Sequence, residues 1–220
     1  MRPQIVGVIF SRADLRRALR MRKPPDLFEL RLDGLAGCID EVRSAVARLG
    51  PSLIITARHP LEGGAHRLSA PQRRALLLEF LACAQFVDIE LRSADLFLPI
   101  LRATRRRQPV REIISFHDFE RTPSASQLGK VIAAACSLGT DIVKIAVRTD
   151  TAAQLDTLLD FFDRHRRRMK LVAMGIGKLG RLSRVELARR GCLLNYAHLG
   201  TPAAPGQLSV EEVRRVLSRR

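Results

Sequence analysis

The chain has 220 residues, 46% of them hydrophobic and 27% charged, which is ordinary for a globular protein with a sizeable core. No apolar run approaches the ~20 residues needed to span a bilayer, and the first is too short for a secretory leader. These features exclude a membrane-spanning protein and predict a cytoplasmic one, whose net charge of +16 needs a separate explanation.

Short apolar runs rich in β-branched residues follow one another along the chain and predict eight β-strands. They are Ile5–Phe10, Leu27–Asp33, Leu53–Arg58, Phe86–Leu91, Glu112–His117, Ile142–Val147, Lys170–Ile176 and Cys192–Ala197. The intervening segments have helical periodicity and carry start signals at Ser11 with Asp14, Ser69 with Pro71, Thr122 with Pro123, and Ser209 with Glu212.

Eight strand–helix alternations predict a single α/β domain over residues 1–220, folded as a (β/α)8 TIM barrel. A doubly wound open sheet is the alternative architecture. That fold usually has a glycine-rich phosphate turn after its first strand, whereas the turn here is Phe10-Ser11-Arg12. The barrel is therefore favoured.

The predicted strands separate polar from apolar residues onto opposite faces, as expected in a barrel whose alternate residues point inward. In the second strand, Glu29, Arg31 and Asp33 share one face, opposite three apolar side chains. The polar faces of later strands carry Thr56, Arg58, Asp88, Glu90, Ser115, His117 and Lys144. Because the apolar faces must pack against helices, we expect this polar set to point inward, with charges of nearly balanced sign.

Lys144 lies in the apolar segment Asp-Ile-Val-Lys-Ile-Ala-Val, where an unpaired charge would be costly. Two interpretations are open: a structural lysine paired with an interior carboxylate such as Glu90, or a nucleophilic amine. His117 ends the adjacent strand. A lone histidine is more often structural than catalytic, but beside an inward lysine it is expected to transfer protons.

Three loops at the predicted barrel mouth carry further candidates. After the third strand, Glu62 in the segment Arg58-His59-Pro60-Leu61-Glu62-Gly63-Gly64 can orient His117. After the seventh, the glycines from Gly175 to Gly180 precede Arg184 and suit a bound anion, or simply form a turn before a helix. Ala204-Pro205-Gly206-Gln207 follows the eighth strand and is either a mobile flap or a plain turn.

The cysteines and arginines are interpreted as structural features. The four cysteines are far apart in the chain and are expected to be reduced core thiols: Cys38, Cys83, Cys136 and Cys192. No Cys/His cluster in the sequence has metal-ligand spacing.

Only five of the 38 basic residues are lysines, and the arginine runs fall near predicted helix ends: Arg105–Arg107, Arg164–Arg168, Arg189–Arg190 and Arg214–Arg220. A solvated basic surface is favoured over nucleic-acid binding, since Trp is absent and Tyr occurs once.

Taken together, six ordered motifs resemble the type I 3-dehydroquinate dehydratases of the shikimate pathway. They run from Glu29 to Gln207 and read Glu-Leu-Arg-Leu-Asp, Thr-Ala-Arg followed by Glu-Gly-Gly, Ser-Phe-His-Asp-Phe, Val-Lys-Ile-Ala, Met-Gly-x-Gly-x-x-Gly-x-x-Ser-Arg and Ala-Pro-Gly-Gln. The resemblance implies a (β/α)8 barrel that uses no metal and no cofactor, binds 3-dehydroquinate, and is compatible with a homodimer.

The resemblance also implies a role for each site residue. Lys144 forms an imine with the C3 ketone of 3-dehydroquinate, His117 moves a C2 proton and then protonates the departing C1 hydroxyl, and Glu62 positions His117. Arg184 and Gln207 hold the substrate carboxylate. The hydroxyl-bearing side of the ring is bound by Glu29, Arg31 and Arg58. Elimination of water then gives 3-dehydroshikimate.

Two departures and two rival functions accompany the resemblance. Ala203 stands where many relatives carry a flap serine, and Leu193–His198 replaces a Thr-Phe-Gly-type stretch, which leaves the eighth-strand register open. A class I aldolase would use Lys144 and bind a phosphate at Gly175–Gly180, but it does not account for a Glu62–His117 pair. The other rival is a ligand-sensing or nucleic-acid-binding relative that kept the barrel without its chemistry.

Overall fold

The computed structural model describes residues 2–49, 52–104 and 110–218. Its β-strands are β1 (Gln4–Ile9), β2 (Leu27–Arg31), β3 (Leu53–Thr56), β4 (Phe86–Glu90), β5 (Arg111–Asp118), β6 (Ile142–Arg148), β7 (Leu171–Ile176), β8 (Leu194–His198) and β9 (Leu208–Ser209). Its α-helices are α1 (Arg12–Arg20), α2 (Leu32–Leu35), α3 (Ile39–Ala45), α4 (Ala70–Phe80), α5 (Ala94–Thr104), α6 (Ala125–Ser137), α7 (Ala152–His165), α8 (Gly180–Arg189) and α9 (Val210–Ser218).

The strands form one curled sheet in which every neighbouring pair is parallel, in the order β7-β6-β5-β4-β3-β2-β1-β8-β9. Because the strands are parallel, their carboxyl ends all lie at one edge of the sheet. The eighth-strand register is defined by its pairing with β1, where Tyr196 lies opposite Val6. Among the described residues, no backbone ladder joins β7 to β8.

The predicted separation of polar and apolar faces is confirmed. Glu29, Asp88, Glu90, Ser115 and Lys144 are all buried. The apolar residues that alternate with them belong to one continuous hydrophobic core between sheet and helices, for example Leu30, Ile55, Ile89, Ile114 and Ile145. The sheet interior is therefore charged and the sheet exterior apolar, and this polarity positions the site described below.

Three of the four predicted helix starts are confirmed. Ser11 and Ser69 accept hydrogen bonds from the third helical residue and form capping boxes, and Ser209 with Glu212 makes the same exchange before α9. The start predicted at Thr122 was wrong. The helix begins at Ala125 after the N-cap Ser124, because Ser124 finds a capping partner in Gln127.

Three strand boundaries differ from the prediction by two residues. β3 ends at Thr56 rather than Arg58. β2 ends at Arg31 rather than Asp33, because Asp33 turns into α2 and accepts hydrogen bonds from the backbone N–H groups of Arg58 and Ala65. β8 starts two residues later than predicted, at Leu194. β9 was not predicted, since a two-residue strand carries no periodic signal.

The expectations for cysteines and arginines were met in part. Cys192 is buried as predicted, but Cys38 and Cys83 are only half-buried and Cys136 is exposed, so they are not core thiols. Arg164, Arg189 and Arg215 lie in the last turns of their helices, where cations complement the helix dipole. Arg105–Arg107 and the last two arginines of the run Arg214–Arg220 lie outside the described residues. Every helix in the described part of the chain is too short or too polar to cross a membrane.

Candidate active site

A cavity of about 140 Å³ lies at the carboxyl ends of the strands. Its lining contains every residue predicted for the site: Glu29, Arg31, Arg58, Glu62, His117, Lys144, Arg184 and Gln207. The apolar lining comes from Val8, Phe119, Ala146, Met174, Ile176, Tyr196, Ala203 and Ala204. Charged groups that converge within apolar walls suit a small, polar organic ligand.

Lys144 on β6 is buried, and its amine is held from three sides. Nζ lies 2.8 Å from Asp88 Oδ2, 3.6 Å from Glu29 Oε1 and 4.0 Å from the centre of the Tyr196 ring. Glu90, the partner suggested by the sequence, is therefore not the residue that holds Lys144. Glu90 accepts hydrogen bonds from Arg58, Arg73 and the backbone N–H of His59 instead.

Asp88 joins Lys144 to a buried charge network. Arg58 Nη1 donates to Asp88 Oδ1 at 2.9 Å, to Glu90 Oε1 at 3.2 Å and to Ser115 Oγ at 2.6 Å. Burial alone would raise the pKa of Asp88, but Arg58 and Lys144 outweigh it and hold that pKa well below its usual range. Asp88 is thus an anion that fixes the position of the Lys144 amine.

Arg73 on α4 is a buried supporting residue that the sequence analysis missed. Its Nε donates to Ala57 O at 2.7 Å, and its guanidinium also contacts Glu90 and Ser93 Oγ. These bonds tie α4 to the end of β3, from which the loop carrying Glu62 departs. No sequence pattern distinguishes Arg73 from the neighbouring Arg74. The groups that accept its hydrogen bonds, Ala57 O and Glu90, lie far from it in the sequence and are brought to it only by folding.

His117 and Glu62 form the predicted pair. His117 Nδ1 lies 2.9 Å from Glu62 Oε2, the same oxygen accepts from the His117 backbone N–H at 3.1 Å, and Arg92 Nε lies 3.0 Å from Oε1. Burial raises the pKa of Glu62 to about 7. Burial, with Arg58 and Lys144 nearby, lowers the pKa of His117 well below its usual value. His117 is therefore neutral, and with Nδ1–H donating to Glu62, the Nε2 lone pair is left to accept a proton.

Arg184 on α8 is a buried cation with no carboxylate beside it among the described residues. Its Nη1 contacts Tyr196 O at 3.4 Å and Met174 Sδ at 3.6 Å, while its Nε is buried and makes no hydrogen bond to any described residue. Burial lowers the pKa of Arg184 to about 10, which still leaves it charged at neutral pH. A desolvated guanidinium with free donors favours an anionic ligand. Gln207 lines the same cavity, and its Oε1 accepts from Ala203 N at 2.7 Å.

Arg31 and Glu29 complete the charged lining. Arg31 forms a bidentate pair with Asp33, at 3.0 and 2.9 Å, and donates to Gly63 O at 2.9 Å. Glu29 Oε1 accepts from Thr56 Oγ1 at 2.8 Å. Both side chains are therefore held by protein groups, and the cavity exposes them in a fixed orientation.

Comparison with known proteins identifies the family of this chain. The family model for type I 3-dehydroquinase matches residues 11–220. The 3-dehydroquinate dehydratase of Methanothermobacter thermautotrophicus is 33% identical over 193 residues, which cover 87% of this chain and 84% of that protein. The crystal structure of 3-dehydroquinate dehydratase from Geobacillus kaustophilus superposes with a TM-score of 0.86 at 27% identity, covering 99% of this chain and 90% of that one.

A second solved structure is the type I 3-dehydroquinate dehydratase of Clostridium difficile with covalently modified comenic acid. It superposes with a TM-score of 0.85 at 25% identity and covers 99% of this chain and 92% of that one. The family model spans nearly the whole chain, and the archaeal relative exceeds 30% identity over most of it. The chain therefore belongs to the type I 3-dehydroquinase family, and it is a hydro-lyase.

Proposed function

We propose that this protein converts 3-dehydroquinate into 3-dehydroshikimate, by eliminating water from an imine formed on Lys144. One observation carries the proposal: a buried amine, a neutral imidazole and a guanidinium without a carboxylate partner among the described residues line one cavity of about 140 Å³. The amine supplies covalent chemistry, the imidazole supplies proton transfer, and the guanidinium supplies a grip on the substrate carboxylate.

The first step joins the substrate to the enzyme. The Lys144 ammonium first gives one proton to a neighbouring base, and the free amine then attacks the C3 carbonyl carbon. The C–N bond forms, and the carbonyl oxygen leaves as water with that proton and a second one from the nitrogen. Ketone and ammonium together give a protonated imine and one water, so no external proton is consumed. Asp88 and Glu29 flank the amine at 2.8 and 3.6 Å, and their charges also favour the cationic imine.

The second step removes water from the ring. His117 Nε2 takes a proton from C2, and the C–H electron pair forms the C2–C3 double bond while the imine electrons move onto nitrogen. The electrons then return, the C1–C2 double bond forms, and the C1 hydroxyl leaves as water with the proton from His117. Hydrolysis of the conjugated imine releases 3-dehydroshikimate and restores the Lys144 ammonium.

Glu62 controls this proton transfer through its own ionisation. Above about pH 7 the ionised carboxylate supports a positive His117, whereas below that pH a neutral Glu62 supports it less. We expect kcat/KM of the wild type to rise with pH through about 7. In Glu62→Gln the rise should disappear, and the rate above pH 8 should fall about 10- to 100-fold. Initial rates across pH, with Glu62→Asp as control, measure this, and a Gln variant that kept the wild-type profile would contradict it.

Arg184 is expected to contribute mainly to substrate affinity. Arg184→Met removes the only cation proposed to meet the substrate carboxylate and leaves an apolar side chain of similar length. KM should rise about 100-fold with a smaller loss in kcat, since a charge-assisted contact is worth a few kcal/mol. Steady-state kinetics on 3-dehydroquinate test this, with Arg181→Met on the exposed side of the same helix as control. Equal KM values in the two variants would argue against the assignment.

The sheet is proposed to close as a single-domain (β/α)8 barrel. Two observations support closure. β7 and β8 are the two ends of the series β7-β6-β5-β4-β3-β2-β1-β8, and side chains link their surroundings: Cys192 Sγ lies 3.7 Å from Ala173 O, and Arg184 contacts Met174 of β7 and Tyr196 of β8. Closure would surround the charged interior completely, as a water-excluding site requires.

Detection of the product tests the function most simply. The proposed product carries a carbon–carbon double bond conjugated with a carboxylate and a ketone, and it absorbs in the ultraviolet where 3-dehydroquinate does not. Purified protein with 3-dehydroquinate should raise that absorbance at a rate proportional to enzyme concentration. An absence of product would reject the dehydratase, and cleavage of a sugar phosphate instead would favour the aldolase.

A further inference from the structure

The aromatic ring of Tyr196 is the third group that holds the Lys144 amine. Tyr196 lies on β8, and its ring centre is 4.0 Å from Nζ. The residue is buried, so water does not compete for the ammonium on this side. An aromatic face carries negative charge density and attracts a cation at this distance.

Each strand around Lys144 presents a different group to the amine. Asp88 and Glu29 are anions at 2.8 and 3.6 Å from Nζ, and Asp88 shares its charge with Arg58, which donates to its other oxygen. The lining of β1 and β7 is apolar, through Val8 and Met174. On the β8 side, only the Tyr196 ring among the described residues is placed to stabilise the cation.

The phenolic hydroxyl does not take part in this contact. It is buried and makes no hydrogen bond to any described residue. Burial and the charges of Glu29 and Asp88 raise the pKa of Tyr196 well above its usual value, so the hydroxyl is neutral and cannot act as an anion toward Lys144. The part of Tyr196 in contact with the amine is therefore the ring face.

We propose that Tyr196 is a positioning residue whose ring face binds the Lys144 nitrogen while it is positively charged, first as ammonium and then as protonated imine. The imine half of this inference rests on the proposed function. Since the nitrogen stays on the same side chain in both states, one ring serves both. A neutral nitrogen gains little from the ring, so the contact favours the protonated imine over the neutral imine, and it is the protonated imine that draws electrons from C2.

A matched pair of substitutions separates the effect of the negative charge density on the ring face from the effect of the ring's shape. Tyr196→Phe keeps the aromatic face and removes the unpaired hydroxyl. Tyr196→pentafluorophenylalanine has nearly the same size, but its fluorines withdraw the negative charge from the face. Both rings fill the same space, so folding is expected to be preserved, and thermal unfolding of each variant checks it. Tyr196→Phe should unfold at a slightly higher temperature than the wild type, because a buried hydroxyl without a partner is lost.

Two measurements on this pair test the proposal. The first is labelling of the substrate-free protein with acetic anhydride at fixed pH, with peptide mass spectrometry reading Lys144 against the other lysines as internal standards: Lys23, Lys130, Lys170 and Lys178. The fluorinated variant should label Lys144 about tenfold faster than Tyr196→Phe, because its ring face no longer attracts the nitrogen that lies 4.0 Å from the ring centre. The second is steady-state kinetics, where the fluorinated variant should lose about tenfold in kcat with KM nearly unchanged.

The proposal is overturned if the two variants label Lys144 equally fast and share one kcat. It is also overturned if Tyr196→Phe alone reproduces the effect, since the hydroxyl would then be the active part. Labelling requires no substrate, so its result stands whether or not the protein dehydrates 3-dehydroquinate. A wild-type protein without dehydratase activity would reject the proposed function while leaving the labelling comparison to decide the role of the ring.

Discussion

Replacing Lys144 by arginine is expected to reduce turnover of 3-dehydroquinate by a factor on the order of 10⁴ or more. Arginine keeps a positive charge beside Asp88 and Glu29, but its guanidinium does not lose a proton at any accessible pH and cannot attack a ketone. The loss of activity in this variant therefore measures the contribution of the nucleophilic amine alone, because the positive charge is retained. Steady-state rates from product absorbance measure it, and a variant that kept about one per cent of wild-type activity would contradict the account.

Lys144→Met is the matched control for this experiment. It also removes the nucleophile, but it leaves two buried carboxylates without the cation between them. Breaking a buried ion pair from one side typically costs about 3 to 5 kcal/mol. We expect the Met variant to lose both activity and unfolding free energy, and the Arg variant to lose activity while retaining most of its stability in denaturant titrations. Equal stability of both variants would mean that the pairing with Asp88 and Glu29 contributes little.

Replacing His117 by alanine is expected to leave imine formation intact and to slow elimination by about 10² to 10⁴. The physical reason lies in the Glu62–His117 pair, where Nδ1 is occupied and only Nε2 can exchange a proton with the substrate. Once the imidazole is removed, no other neutral base among the described residues lines the cavity. Borohydride reduction should then trap an adduct with the mass of the unreacted substrate rather than that of the product.

The His117 experiment has a clear opposite result. If the alanine variant forms no reducible adduct, His117 acts mainly in imine formation or in binding, and the division of labour proposed above is wrong. Phe119→Leu, a change in the apolar lining two residues away, is a suitable control because it alters the cavity wall without removing a proton carrier.

The sequence predicted the strand alternation and the cavity residues because both depend on short-range patterns. Alternation within each strand identified Lys144 and Glu29 as inward-facing, and the ordered motifs linked Glu62 to His117. The partners inside the sheet were less predictable. Side-chain parity shows which residues point inward, but not which carboxylate reaches which cation, so the partner of Lys144 is Asp88 rather than Glu90.

Other features could be found only in three dimensions. Arg73 lies on a helix whose sequence marks Leu77 and Phe80 as buried but gives no sign that Arg73 is buried with them, and its role arises from an acceptor on another strand. Tyr196 lies in the segment that departs from the family pattern, so its approach to Lys144 depended on a strand register that the sequence left open. At the flap, Ala203 contributes a backbone N–H to Gln207 where a serine would add a hydroxyl, and this contact was likewise not predictable.

Covalent trapping of the substrate tests the central claim most directly. Borohydride added during turnover of 3-dehydroquinate should inactivate the enzyme, and peptide mass spectrometry should find the reduced adduct on the peptide containing Lys144 and on none of the other four lysines. Protein treated with borohydride alone should remain active and unmodified. An adduct on another lysine, or active and unmodified protein after trapping with substrate, would contradict an imine mechanism at Lys144.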